Sequence, residues 1–325
     1  MKAIIWTRYG PPNVLQLNDI EKPTPKDKEV LIKIHATTVT TGDCEMRGMK
    51  VSLFYRFFMR LYIGFRRPKR ITILGMELAG EIESVGKDVK RFKIGDQVFA
   101  APSFNKLGTY TEYICLPEES KEGLLAKKPI NMTYQEAAAV PIGGLEALHF
   151  IGNGNVKNGQ MVLINGAGGT IGTFAVQLAK YYGAEVTCVD TTRKLEMLRS
   201  IGADHVIDYT QEDFTKNKES YDVIFDVVGK RSFSDFKNSI KKNGLLILAN
   251  PKLSHLLRSR FSSMKIKVRK LNSKIEDLLF LKELIEEGKI KSIIDRTFSL
   301  EKAVEAHRYV ETGNKIGHVI IKNVE

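Results

Sequence analysis

Residues 162–172 constrain the fold of this chain more than any other stretch. A β-branched and aliphatic run stops at three glycines spaced as Gly166-x-x-Gly169-x-x-Gly172, and a good helix-forming run follows at once. This order predicts a strand, a tight turn and a helix. Glycines there would leave backbone N–H groups accessible at the helix N-terminus, where the macrodipole favours an anion. The stretch is therefore expected to bind the pyrophosphate of a dinucleotide.

The second half of the chain continues the alternation of strands and helices. This rhythm predicts a parallel, doubly wound sheet. The predicted strands are residues 162–165, 186–190, 205–209, 223–228, 245–249 and 265–271, and the predicted helices include residues 193–200, 233–241 and 274–287.

The first 120 or so residues have a different pattern. Short alternating runs such as residues 30–34 and 81–85 end at Gly, Pro or Asp, which predicts a compact antiparallel barrel. A strand at 292–295, a helix at 301–311 and a closing strand at 317–321 predict that the tail returns to this barrel. The predicted class is α/β, with a discontinuous barrel domain (residues 1–122 and 272–325) and a dinucleotide-binding domain (residues 123–271).

Composition and charge limit the partners. Hydrophobic residues make up 43% of the 325 and charged residues 27%, as in an ordinary globular protein. The most apolar segment, residues 51–65, is interrupted by Arg56 and Arg60, and no targeting pattern stands out, so a cytoplasmic location without a membrane partner is expected. The net charge of +12 comes from scattered lysines and two basic clusters, at residues 66–70 and 258–270. No specific nucleic-acid partner is expected.

An ordered series of further motifs runs nearly from end to end. It includes Tyr9-Gly10-Pro11, Gly75-x-Glu77-x-x-Gly80, Gly95-Asp96-x-Val98, Ala138-Ala139-Val140-Pro141 and Phe225-Asp226-Val227-Val228-Gly229. The series resembles the medium-chain dehydrogenase/reductase superfamily, in its zinc-free quinone oxidoreductase and enone reductase branch. The resemblance implies a GroES-like barrel domain plus a Rossmann domain. It also implies hydride transfer from NAD(P)H to a small-molecule quinone or α,β-unsaturated carbonyl, and a homodimer formed through the edge of the Rossmann sheet.

Neither zinc site of the superfamily is expected. Zinc-dependent relatives carry a ligand cysteine where this chain has Thr40, and Gly-His-Glu where it has Gly75-Met76-Glu77; methionine is not a usual zinc ligand. The three cysteines (Cys44, Cys115 and Cys188) lie too far apart in sequence for a four-thiolate site. No metal is predicted.

By the same resemblance, the cofactor contacts fall into four groups. The pyrophosphate group is Gly166, Gly168, Gly169, Thr170 and Ile171. The adenosine ribose group is Asp190, Thr191, Thr192, Arg193 and Lys194. Tyr209 is expected near the adenine. Val228, Gly229, Ala249 and Asn250 are expected on the nicotinamide side.

The choice between NADH and NADPH depends on residues 190–194. Asp190 follows Gly172 by eighteen residues, and a carboxylate there usually binds ribose hydroxyls and repels a 2′-phosphate. Arg193 and Lys194 would instead suit a 2′-phosphate. Alternatively, both cations are ordinary first-turn residues and Asp190 is a helix N-cap. Because capping would occupy Asp190, NADPH is predicted, with NADH as the alternative.

The catalytic residues are less defined, because no Ser-His-Asp, Cys-His or paired-carboxylate pattern occurs. Thr40 stands where zinc-free relatives often have Asn, and its hydroxyl is a candidate donor to the substrate carbonyl; Asp43 matches a nearby family aspartate, or is a structural cap. The basic insert, residues 50–70, is hypothesised to form a lid over the acceptor pocket. Competing functions are an alcohol or aldehyde oxidoreductase of the same fold and a catalytically weak nucleotide-binding regulatory protein.

Overall fold

The computed structural model describes residues 1–120, 123–153, 155–216, 220–250, 265–268 and 274–323. The chain divides into two compact units. Unit 1 comprises residues 1–142, 274–286 and 292–325, and unit 2 comprises residues 143–273 and 287–291. The predicted boundary residues 122 and 272 lie outside the described residues, and residues 123–142 group with unit 1.

The strands are β1 (Lys2–Trp6), β2 (Leu15–Asp19), β3 (Glu29–Thr38), β4 (Leu78–Val85), β5 (Gln97–Ala101), β6 (Tyr113–Pro117), β7 (Leu124–Lys127), β8 (Met161–Asn165), β9 (Glu185–Asp190), β10 (His205–Asp208), β11 (Tyr221–Asp226), β12 (Ile240–Leu248), β13 (Lys265–Val268), β14 (Ile294–Ser299) and β15 (His318–Lys322). The α-helices of the described residues are α1 (Thr41–Gly48), α2 (Leu53–Ile63), α3 (Tyr134–Ala138), α4 (Pro141–Asn153), α5 (Thr170–Tyr181), α6 (Thr192–Ser200), α7 (Phe233–Lys237), α8 (Ile275–Glu286) and α9 (Ala303–Glu311). Short 3₁₀ turns cover Pro12–Val14, Phe104–Lys106, Phe214–Lys216 and Leu300–Lys302.

Unit 1 is built on a seven-stranded sheet of order β14-β15-β3-β4-β5-β7, with β6 also paired to β3, and on the separate pair β1-β2. Its pairs are antiparallel except β14 with β15. Apolar side chains such as Ile32, Leu78 and Val98 alternate with polar ones and form the buried core of this sheet. The pairing of β15 with β3 confirms that the tail returns to the first part of the chain.

Unit 2 contains a parallel six-stranded sheet of order β10-β9-β8-β11-β12-β13. Its central strands are almost continuously apolar, and Leu163, Ile224 and Leu246 are completely buried. The strand order reverses between β8 and β11, so the carboxyl ends of these two strands form the switch point where such sheets bind ligands. The predicted Rossmann sheet is confirmed.

Two predicted elements differ in length from the observed ones. The helix predicted over residues 233–241 was too long: α7 ends at Lys237, because Ile240 already pairs with Tyr221 as the first residue of β12. The strand predicted over residues 265–271 is present over Lys265–Val268, and its last three residues lie outside the described part of the chain. Most of the basic cluster at 258–270 also lies outside it.

Within the described residues, no helix combines the length and the apolar character needed to cross a membrane.

Candidate functional site

Two glycines of the predicted turn are required by contacts within the protein. Gly166 has a φ of +86°, and a Cβ there would lie 2.6 Å from Val228 Cγ2. A Cβ on Gly172 would lie 2.4 Å from the carbonyl oxygen of Gly166 and 2.5 Å from that of Ala167. Because backbone oxygens cannot move aside like a flexible side chain, Gly172 lets α5 pack tightly against the end of β8.

The third glycine, Gly169, is not required by the protein itself. Its φ is −96°, and the nearest atom that a Cβ would meet is the Gly166 oxygen, 3.7 Å away. Gly169 is the N-cap residue of α5, and the intrahelical series begins with Thr173 N–H donating to its oxygen at 3.0 Å. The N–H groups of residues 170–172 lie in the first turn of α5, before the intrahelical hydrogen bonds begin. The N-terminus of a helix that is preceded by a small residue fits a phosphate group.

Asp190, at the end of β9, is tied to the glycine turn. Its carboxylate accepts hydrogen bonds from Gly168 N–H (2.8 Å) and Thr191 N–H (2.9 Å), and pairs with Lys194 Nζ at 3.0 Å. The side chains of Asp190 and Lys194 are only 6% and 10% exposed. Thr191, rather than Asp190, is the N-cap residue of α6. The Asp190 carboxylate therefore already binds two backbone N–H groups and the Lys194 ammonium, and it does not cap α6.

The other residues predicted around the adenosine follow the carboxyl ends of the neighbouring strands β9 and β10. Arg193 is exposed in the first turn of α6. The Thr192 hydroxyl donates to Asp208, the last residue of β10. Tyr209 is 51% exposed, and its backbone N–H donates to the backbone carbonyl oxygen of Asp190 at 3.1 Å. The ends of β9 and β10 thus bring together the residues predicted from the sequence.

The residues predicted on the nicotinamide side are held by Asp226 and its neighbour Val227, and the role of Asp226 was missed by the sequence reasoning. Asp226, completely buried at the end of β11, accepts hydrogen bonds from Val228 N–H (3.1 Å) and Gly229 N–H (3.2 Å). Its backbone oxygen accepts Ala249 N–H at 3.0 Å. Asn250 Nδ2 donates to the Val227 oxygen at 2.9 Å. Asp226 therefore fixes the turn after β11 and joins it to the end of β12.

A signal for Asp226 was present in the sequence. It is the only carboxylate within a strongly apolar strand end, Phe225-Asp226-Val227-Val228, and a buried carboxylate needs several donors. One of these donors is Asn165 Nδ2, at 2.9 Å, from the end of neighbouring β8. The two residues are sixty-one positions apart in the chain, which hides this contact from sequence reasoning.

Thr40 and Asp43 form a reciprocal capping box at the start of α1. Asp43 N–H donates to Thr40 Oγ1 (3.1 Å), and Thr40 N–H donates to Asp43 Oδ2 (2.9 Å). The Thr40 hydroxyl also donates to Asp43 Oδ2, at 2.6 Å. Thr40 is 6% exposed and Asp43 is completely buried. The catalytic roles of both residues stay predictions.

Asp43 also connects α1 to the segment before β4. Gly75 N–H donates to Asp43 Oδ1 at 3.1 Å. Burial raises the pKa of Asp43, while the hydrogen bonds from Thr40 and Gly75 oppose that rise. All of these donors favour the charged form, so Asp43 acts here as an acceptor that holds the Thr40 hydroxyl in one orientation.

The cysteines lack the character of nucleophiles or metal ligands. Burial raises the pKa of Cys44 to about 12 and that of Cys115 to about 11, and it also raises the pKa of Cys188. Thiols with such pKa values stay protonated at neutral pH. Among the described residues, no group of three or more His, Cys, Asp or Glu side chains is arranged to hold a metal ion. The absence of zinc stays a prediction.

Comparisons with known proteins agree with this geometry. The family model for the alcohol dehydrogenase GroES-like domain matches residues 26–129, and that for zinc-binding dehydrogenase matches residues 201–321. The 2-methylene-furan-3-one reductase of Solanum lycopersicum is 32% identical over 333 residues, covering 99% of this chain and 79% of that protein. The chain belongs to the medium-chain dehydrogenase/reductase superfamily.

Within this superfamily, the similarities point to the quinone oxidoreductase-like branch. The NADPH-dependent alkenal/one oxidoreductase of Arabidopsis thaliana, a chloroplastic protein, is 32% identical over 99% of this chain and 79% of its own. The quinone oxidoreductase from Coxiella burnetii has a similar structure, with a TM-score of 0.86 and 29% identity over 100% of this chain and 99% of that one. The predicted branch, fold class and enzyme class of this medium-chain dehydrogenase/reductase are confirmed.

Proposed function

We propose that this medium-chain dehydrogenase/reductase uses NADPH to reduce quinones or α,β-unsaturated carbonyl compounds without zinc. The observation that carries the proposal is the open turn at Gly169, a glycine that no contact within the protein requires. It lies at the N-terminus of α5, beside the switch point of the parallel sheet. A diphosphate is the ligand that this combination of open turn, helix dipole and strand order suits best.

The Asp190–Lys194 pair supports NADPH rather than NADH. A free carboxylate at the end of β9 would accept ribose hydroxyls and repel a 2′-phosphate. Here Asp190 already accepts two backbone N–H groups, and Lys194 Nζ lies 3.0 Å from it. The pair is neutral overall, which removes the repulsion, and exposed Arg193 supplies a guanidinium for the phosphate. The alkenal/one oxidoreductase relative is also named as NADPH-dependent.

The chemistry proposed for the site is simple. Reduced nicotinamide, when bound, supplies a hydride for an electron-poor carbon or a quinone. The protein has to hold the cofactor and polarise the acceptor oxygen. The turn at Val228 and Gly229, which Asp226 fixes, would orient the nicotinamide side together with Ala249 and Asn250 at the end of β12.

Thr40 is the proposed hydrogen-bond donor to the acceptor oxygen. Its single hydroxyl proton is directed to Asp43 at 2.6 Å in this structure. Donation to a substrate therefore requires the hydroxyl to turn away from Asp43, while the Thr40 backbone N–H keeps its bond to the same carboxylate at 2.9 Å. In this proposal Asp43 positions Thr40 and does not transfer a proton itself.

An acceptor panel tests the proposed function. The purified protein is mixed with NADPH and with a quinone, a 2-enone or an aldehyde, and the NADPH absorbance is followed. Oxidation that depends on the quinone or the enone supports the proposal, and kcat/KM should be unchanged after treatment with a zinc chelator. Turnover restricted to aldehydes would instead indicate the alcohol or aldehyde oxidoreductase. Tight NADPH binding in calorimetry without turnover of any acceptor would indicate the regulatory protein.

Two further properties belong to the proposal. The chain is expected to form a homodimer through an edge of the six-stranded sheet, which sedimentation analysis of the full chain would test. A cytoplasmic location is expected, although the alkenal/one oxidoreductase relative is chloroplastic. Imaging of a tagged chain would distinguish the two locations.

A further inference from the structure

Helix α2 presents an apolar face to solvent. Leu53, Phe54, Phe57, Phe58 and Leu61 share one side of the helix, because residues three, four and eight positions apart align, and they are 51–80% exposed. The rings of Phe54 and Phe58 lie 4.8 Å apart, so the surface is continuous. A helix on a globular protein normally turns such a stripe inward, and an exposed stripe of this kind marks an interaction site. These five residues are termed the α2 face.

The opposite side of α2 is firmly attached to unit 1. Ile63 is completely buried, and Met59 and Tyr62 pack against the core cluster that contains Trp6. After the helix the chain turns back, and the N–H groups of residues 69 and 70 donate to the Ile63 oxygen at 2.9 and 3.0 Å. The helix therefore cannot roll over to bury the α2 face without losing this packing.

The chain around the α2 face carries only positive charge. Between Glu45 and Glu77 there are eight lysines and arginines and no acidic residue. Two of the eight, Arg47 and Lys50, pair with Glu311 at 2.7 and 2.8 Å. The other six make no ion pair within the part of the chain that the structure describes: Arg56, Arg60, Arg66, Arg67, Lys69 and Arg70. Two of these six, Arg60 and Arg70, lie over the rings of Tyr9 and Tyr62. The exposed apolar rings thus belong to a segment of the chain whose charge is entirely positive.

We infer that the α2 face and the basic segment of residues 66–70 dock this protein on the surface of a membrane that contains anionic lipids. The exposed rings enter the boundary between headgroups and acyl chains, and the arginines and lysines bind lipid phosphates and carboxylates. An eleven-residue helix is too short to cross a bilayer and lies in its surface. This role differs from the lid predicted for residues 50–70, and from the expectation that the chain has no membrane partner.

Charge argues against a second copy of the chain as the occupant. In a two-fold symmetric dimer, each subunit contributes the same patch. The basic segments of residues 66–70 from both copies would then belong to one interface, with no carboxylate from residues 46–76 to neutralise them. An anionic bilayer supplies the opposite charge over its whole area.

The test is flotation of the full chain with lipid vesicles. One set of vesicles is pure phosphatidylcholine, and the other contains about one-third phosphatidylserine, which carries the surface charge that attracts basic segments. The expected result is binding at least about tenfold stronger to the anionic vesicles, weakening as the salt concentration rises from about 0.1 M to about 0.5 M. Equal binding to both sets, or binding to neither, would overturn the inference.

Two double variants separate the apolar and the charged contributions, and each has a matched control. Phe54→Ser with Phe58→Ser should reduce binding about tenfold, whereas Ile94→Ser with Ile130→Ser, which alters side chains 64% and 87% exposed elsewhere, should leave it within about twofold. Arg66→Gln with Arg67→Gln should also reduce binding about tenfold and flatten the salt dependence. Lys28→Gln with Lys90→Gln removes the same charge from other exposed positions and should have little effect.

Folding and oligomeric state are measured on the same samples. The altered side chains are exposed, so the unfolding midpoints should match that of the unaltered chain. If the two apolar controls reduced binding as strongly as the α2 variants, the inference would fail. It would also fail if Phe54→Ser with Phe58→Ser converted a dimer to a monomer while the unaltered chain did not bind vesicles, since the α2 face would then be a subunit interface.

Discussion

Lys194 Nζ lies 3.0 Å from Asp190 Oδ1, and this pair is almost completely buried beneath the glycine turn. Gly168 is part of the arrangement, because a Cβ there would lie 2.4 Å from Lys194 Cδ. The lysine therefore crosses the turn to reach the carboxylate. The same contact neutralises the Asp190 carboxylate, which would otherwise repel a 2′-phosphate.

The first prediction follows from removal of this cation. Lys194→Met leaves Asp190 charged and unpaired, so the ratio of kcat/KM for NADPH to that for NADH should fall at least about tenfold. The free energy of unfolding should fall by about 3 kcal/mol, since a buried charge loses its partner. Steady-state kinetics and denaturant unfolding measure the two effects.

A matched control for this variant is Lys180→Met, which removes a lysine of α5 that pairs with Asp204 at 2.7 Å in a more exposed setting. Its cofactor ratio should not change. The double variant Asp190→Asn with Lys194→Met removes both charges and should recover most of the lost stability. An unchanged cofactor ratio in Lys194→Met would show that the pair does not govern cofactor choice.

The second prediction separates two kinds of glycine. Gly169→Ala should leave the free energy of unfolding nearly unchanged, because the new Cβ meets no protein atom closer than 3.7 Å. It should weaken NADPH binding at least about tenfold, because the methyl group occupies the place of the phosphate. Gly172→Ala should instead destabilise the fold, since its Cβ would lie 2.4 Å from a backbone oxygen. Calorimetric titration with NADPH and thermal unfolding of both variants distinguish these effects; full-strength binding by Gly169→Ala would refute the proposed phosphate site.

The third prediction concerns the Thr40 hydroxyl. Thr40→Val removes both the N-cap and the proposed donor, so the unfolding free energy should fall by about 1 kcal/mol and kcat by about 100-fold. Thr40→Ser keeps the hydroxyl and should retain most of both. A valine variant that loses stability but keeps kcat would limit Thr40 to capping α1.

The fourth prediction concerns acid stability. His307 is completely buried, and Arg47 Nη1 donates to its Nδ1 at 2.8 Å, so the ring is neutral with its proton on Nε2. Burial, with a contribution from Arg47, lowers the pKa of His307 to about 3, and burial lowers that of His318 to about 3 as well. Between pH 6.5 and pH 3 the unfolded chain therefore binds protons that the folded chain does not. The stability that is complete above pH 6.5 is lost as the pH falls, by up to about 1.4 kcal/mol per pH unit for each histidine.

The variant His307→Asn tests this linkage, because the amide oxygen can still accept the Arg47 hydrogen bond. Denaturant unfolding over this pH range should give a shallower dependence, by about one proton, than in the unaltered chain. An identical slope in the variant and in the unaltered chain would mean that His307 is protonated in the folded state.

The general organisation of the fold follows from local sequence patterns. A strand that is buried on both faces is apolar throughout, as in unit 2, whereas a strand that is buried on one face alternates apolar and polar residues, as in unit 1. Both sheets were therefore predictable from the sequence. The end of α7 was not, because the pairing of Ile240 with Tyr221 depends on tertiary contacts rather than on helix propensity.

The candidate site was predictable in its parts but not in its connections. The glycine spacing indicated a phosphate site, yet only the close approach of Val228 and of two carbonyl oxygens distinguishes Gly166 and Gly172 from Gly169. Lys194 was assigned to the cofactor phosphate from its charge. Its turn toward Asp190 depends on how α6 is placed over the glycine turn, which no local pattern encodes.

The capping box of α1 has a consequence for anyone wishing to install a metal centre in this scaffold. The resemblance to the superfamily predicts that its zinc ligand positions correspond to Thr40 and Met76, so the obvious design is Thr40→Cys with Met76→His. A thiol accepts backbone hydrogen bonds poorly, and a metal-bound thiolate would be withdrawn from the Asp43 N–H that Thr40 Oγ1 now satisfies at 3.1 Å. Such a redesign would also have to provide a new N-cap for α1, because the metal-bound residue 40 could no longer serve as one.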